Sequence, residues 1–87
     1  MKKYAFSYKV KEVNIQDGHI LVEYTPVDET LTSYSYNLPT FTRKESGELK
    51  TLDEVISEFA PHDMWESQEL LKSVQILNTT GVITPKN

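Results

Sequence analysis

The chain has 87 residues, so it makes at most one domain, and a domain of this size buries only roughly 60% of its unfolded surface. Hydrophobic residues are 38% and charged residues 25%, a balance that excludes a disordered tail and fits a globule. The net charge is −4 and cysteine is absent, which excludes a disulfide scaffold and any thiolate metal site.

The first predicted element is a long strand over residues 3–15. Tyr4, Phe6, Tyr8 and Val10 alternate with Ala5, Ser7 and Lys9 at period two. The parity then changes, because Val13 and Ile15 are odd. A β-bulge near Lys11-Glu12 repairs it, since one extra residue flips the facing of all that follows. Gln16-Asp17-Gly18-His19 comes next. Asp-Gly between two apolar runs predicts a two-residue type I′ hairpin. That register sets Ile15 against Ile20, Val13 against Val22 and Glu12 against Glu23. The last is a like-charge pair, which the same bulge relieves.

Residues 19–26 are the expected middle strand of an antiparallel meander. Their β-branched and aromatic side chains sit between Asp17-Gly18 and the turn at Pro26 to Glu29. Residues 31–38 form the third strand. Tyr34, Tyr36 and Leu38 share one face; Ser33, Ser35 and Asn37 share the other. Pro39 cannot donate to a ladder, so the strand stops there or lies at an edge. Phe41 is expected to reach the core. Residues 43–50 are charged and aperiodic, the pattern of a loop.

The second half is helical. Thr51-Leu52-Asp53-Glu54 has the form of a capping box. Leu52, Val55, Ile56 and Phe59 then make one apolar stripe on a helix over 52–60. Pro61 ends or bends it. A second helix over 63–77, led by Asp63, carries Met64, Leu70, Leu71, Val74 and Leu77. Residues 82–84 have the composition of a short fourth strand. The expected fold is therefore α+β: a three- to four-stranded antiparallel β-meander covered on one face by two helices.

Charge is segregated along the chain. Residues 1–11 hold four lysines and no acid; residues 12–29 hold five acids and no base; residues 53–69 hold six acids and no base. No basic stripe with interleaved aromatics is present, so nucleic acid is not an expected partner. No apolar run follows Met1-Lys2-Lys3, so neither a signal peptide nor a membrane span is expected, and the cytoplasm is the default compartment. His19 and His62 have no i, i+4 partner, and the three glycines form no phosphate loop. His62-Asp63 is explained as a helix start rather than as an acid–base pair. The helix acids Asp53 and Glu54 sit where the macrodipole favours them. An enzyme, a cofactor and a metal are accordingly not expected.

What stands out is aromatic surface. Five tyrosines and one tryptophan exceed what one covered sheet face takes in with every hydroxyl satisfied. Tyr4, Tyr8, Tyr24, Tyr34 and Trp65 are the candidate interface residues: the tyrosines lie either at the core rim, ring in and hydroxyl out, or on a second sheet face that docks on a partner, and Trp65 either caps the end of the sheet or anchors a contact. The covered face is assigned to Val13, Ile15, Ile20 and Val22.

Two stretches also carry a resemblance. Ile20-Leu21-Val22-Glu23-Tyr24-Thr25-Pro26-Val27-Asp28-Glu29-Thr30-Leu31 resembles a run in small uncharacterised proteins of large tailed phages, especially those of cyanobacteria. Phe59-Ala60-Pro61-His62-Asp63-Met64-Trp65-Glu66-Ser67-Gln68-Glu69-Leu70 is similar to their helical part. Together they span under a third of the chain and include no catalytic motif. The resemblance implies a phage origin and a place in the virion or the host cytoplasm. The expected function is that of a non-enzymatic structural or assembly protein, self-associating or bound to other virion proteins. The alternative is an acidic inhibitor that occupies a basic site on a host protein.

Overall fold

The computed structural model describes residues 2–86. Three strands, β1 (Phe6–Asn14), β2 (His19–Pro26) and β3 (Tyr34–Pro39), form an antiparallel sheet in the order β1-β2-β3. Helices α1 (Leu52–Glu58) and α2 (His62–Ser73) follow. They are two pieces of one helical stretch, broken where Pro61 supplies no N–H. The fold is α+β, as the periodicities predict. The expected fourth strand is not part of the sheet: residues 82–84 have no regular structure.

The bulge lies where parity requires it. Val10 pairs with Val22 and Glu12 with Leu21, leaving Lys11 as the extra residue. The hairpin differs from expectation. Asn14 pairs with His19, so the connection is the loop 15–18 rather than a two-residue turn. The Asn14 side chain accepts the Asp17 N–H at 3.0 Å and donates to the Asp17 carboxylate at 3.0 Å. This side-chain turn competes with the type I′ geometry and draws Ile15 and Gln16 out of the ladder into the loop. Gly18 closes the loop at φ 69, with its N–H donating to Asn14 O at 3.0 Å. The register shift also removes the expected clash, because Glu23 lies opposite Lys9.

Cross-strand pairing sorts the side chains. Phe6, Tyr8, Val10 and Val13 on β1 share the inner face with Pro26, Tyr24, Val22 and Ile20 on β2. Tyr34, Tyr36 and Leu38 on β3 join them. The outer face carries Ser7, Lys9, Glu12, Glu23, Thr25, Ser35 and Asn37, with Leu21 as its apolar member. Ile20, Val22, Tyr24, Leu31 and Leu38 are buried against Val55, Ile56 and Trp65. Periodicity assigns Val13 and Ile15 to this core, yet they are 66% and 90% exposed. Val13 has the right facing, opposite Ile20, but sits on an edge strand that the helices do not cover. Ile15 lies in the hairpin loop. Phe41 is likewise exposed, over Gly18 and against the His19 ring.

Thr51 caps α1 as expected. Its hydroxyl accepts the Glu54 N–H at 3.2 Å, and Glu54 accepts the Thr51 N–H at 3.1 Å. Val55 and Ile56 are buried, while Leu52 and Phe59 at the stripe's ends stay partly outside. Helix α2 begins at His62 with Pro61 as its N-cap, so Asp63 lies in the first turn and is not the cap. It ends at Ser73, short of the expected residue 77.

Candidate interaction surface

Helix α2 faces the sheet with side chains other than its leucines. His62, Trp65, Gln68 and Glu69 recur at helical spacing, and each meets a group at the end of the sheet. His62 Nδ1 accepts the Tyr4 N–H at 3.1 Å. Trp65 Nε1 donates to Thr32 O at 2.8 Å, and the Thr32 N–H donates to Gln68 at 2.9 Å. Glu69 accepts from the Tyr4 hydroxyl at 3.0 Å and pairs with Lys2 at 2.8 Å. Backbone groups beyond the strand ends have no ladder partner and need one when they are covered. A polar-aromatic stripe supplies those partners; a leucine stripe cannot.

The candidate aromatics are mostly consumed inside the fold. Tyr24 and Trp65 are fully buried, so neither presents a surface to a partner. Tyr24 donates its hydroxyl to Ile56 O at 2.7 Å. Burial, and then the neighbouring Tyr36, push its phenol up to about 12. Tyr4 stacks on His62 with centroids 6.0 Å apart and meets the Trp65 edge at 5.8 Å. Burial and the Glu69 hydrogen bond push its phenol up to about 12. The Lys2 and Tyr4 hydrogen bonds hold the Glu69 carboxyl below its ordinary value. Tyr34 stacks on Tyr36 at 6.2 Å and accepts from Gln68. Tyr8 alone of the five keeps about half its surface free, at 49%. The uncovered sheet face is thus polar and not lined with tyrosine, because Tyr8, Tyr24 and Tyr34 lie in one row across the inner face.

The exposed apolar surface lies elsewhere. Leu70, Leu71, Val74 and Leu77, expected to cover the sheet, are exposed and take no part in the core. Beyond Ser73 the chain runs on as an arm in which Leu77, Val82 and Ile83 are 88%, 93% and 96% exposed. Leu71, Val74, Ile76 and Leu77 line an open hollow of about 490 Å³ where the arm leaves the helix. A second groove, of about 610 Å³, runs between Lys2 and the acids Asp63, Glu66 and Glu69. A smaller cavity of about 250 Å³ on the outer sheet face has Glu12, Asp17 and His19 in its lining. Among the described residues, no three acids or histidines are grouped to hold a metal ion. No helix among them is long and apolar enough to cross a membrane.

Comparison with protein-family models, curated proteins and solved structures finds no match. The site must therefore be read from its own chemistry. Sequence periodicity misses the arm because the same apolar residues fit a longer helix. It misses the docking stripe because His62, Trp65, Gln68 and Glu69 do not form an apolar pattern.

Proposed function

We propose that this chain is a non-enzymatic assembly protein that works through protein–protein contact, first of all with itself. The observation that carries the reading is the run of exposed apolar side chains from Leu70 to Ile83. Large exposed apolar patches on soluble proteins mark association sites, and covering one gains free energy in proportion to its area. The resemblance of residues 20–31 and 59–70 to small phage proteins supports a virion component, with other virion proteins as further partners.

A second reading has its own support. The groove at Asp63, Glu66 and Glu69 is acidic and open, which suits an inhibitor that fills a basic site on a host protein. Salt separates the two, since charge-driven binding weakens steeply with ionic strength and apolar association does not. Light scattering on the purified full chain, at low and high salt, is the test. The expected result is an assembly at tens of micromolar that survives high salt. A monomer of 10.0 kDa that recovers no partner from lysate refutes the reading.

A further inference from the structure

The inner face of the sheet is covered unevenly. On β2, Ile20 and Tyr24 are sealed; opposite them on β1, Val13 and Tyr8 are 66% and 49% exposed. The helices leave bare a strip along β1, which is also an edge of the sheet. The Val27 N–H donates to Ala5 O at 3.0 Å, so Ala5 turns its backbone toward β2. Strand alternation then points the backbone groups of Phe6, Tyr8 and Val10 outward, away from β2. Among the described residues no strand pairs with that edge.

The same chain carries a segment suited to it. Val82-Ile83-Thr84 is β-branched throughout, and Gly81 and Pro85 bound it. Its apolar side chains are almost wholly exposed. The arm stands clear of its own body: the Cα radius of gyration is 17.7 Å, against about 12 Å for a compact chain of this length. We propose that residues 82–84 of one copy add as a fourth strand to the outer edge of β1 on a second copy. The inference rests on the assembly reading above and names its surface.

Three observations favour a second copy as occupant. Donor and acceptor lie on one chain, so a two-fold exchange makes two identical seams and closes. The 13 arm residues 74–86, with a comparable number of receiving residues, reach the ~20–30 residues a side of a stable interface. The arm after Ser73 has Lys86 as its one charged residue and no acid, so it adds nothing to the repulsion between two chains of net charge −4.

The test uses the full chain and the double variant Val82→Asp with Ile83→Asp. Both positions are exposed, so the fold is undisturbed, and Trp65 fluorescence verifies that. The expected result is a dimer whose dissociation constant rises about a hundredfold in the variant. In hydrogen exchange, the Tyr8 and Val10 amides are protected in the dimer and lose protection in the variant. A variant that dimerises as well as the parent overturns the arm exchange and leaves the assembly reading standing. A monomer with protected Tyr8 and Val10 means that the arm closes on its own β1, which overturns the second copy as occupant. A monomer with neither protected overturns the arm exchange, and one that also recovers no partner from lysate overturns the assembly reading with it.

Discussion

Removing one oxygen atom tests how the sheet holds the first helix. Helix α1 ends at Glu58, and its last carbonyls need partners from outside the helix. The Ala60 N–H, the natural donor to Ile56 O, goes to Ser57 O instead, at 3.4 Å. The Tyr24 hydroxyl takes its place at 2.7 Å. Tyr24→Phe keeps the ring and its packing but leaves a covered carbonyl with no partner. The lost hydrogen bond and the unsatisfied acceptor together cost about 2 kcal/mol. For a domain of this size that lowers the melting temperature by roughly 8–16 °C. It moves the urea midpoint down by about 1–2 M. Trp65 is the chain's one tryptophan and is fully buried, so its emission reports unfolding directly. Tyr8→Phe is the control: its ring is half exposed, and the change stays within about 0.5 kcal/mol. Equal midpoints for the Tyr24 variant and the parent would refute the claim that Tyr24 terminates α1.

Thr51→Ala removes the hydroxyl that caps α1 and costs about 1 kcal/mol, read as faster amide exchange at Glu54. Gly18→Val puts a side chain at φ 69, with its Cβ 3.2 Å from the Phe41 ring, and destabilises by more than about 1 kcal/mol in urea. Acid stability follows from carboxyls whose folded values are depressed. Glu54, held down by Thr51, and Glu69, held down by Lys2, stabilise the fold above their ordinary 4.5, and that stability is lost as the pH falls below it. Alkaline stability has the opposite sign. Tyr4 and Tyr24 rise from 10.0 to about 12, so their contribution is whole below pH 10 and is lost as the pH climbs toward 12. Ultraviolet titration of phenolate checks this: Tyr4 and Tyr24 ionise only as the pH climbs toward 12, and Tyr24→Phe removes one of these late phenolates.

Features set by neighbours in the chain are legible in the residues themselves. The capping box at Thr51 and Glu54 is a contact across three residues. The bulge at Lys11 follows from strand parity, and the break at Pro61 from a missing N–H. Each depends on local geometry, which residue type and spacing define. The hairpin marks the limit of that logic. Asp17-Gly18 suits a two-residue turn, but Asn14 competes for the same backbone and shifts the loop. Only the tertiary structure decided which side of α2 meets the sheet. Two stripes run along that helix, and periodicity favours the leucines. The outcome turned on the groups waiting at the sheet end, the Tyr4 N–H and the two polar groups of Thr32, which require hydrogen bonds when covered. That choice buried Trp65 with Tyr24 and put Leu70, Leu71 and the arm beyond them in water.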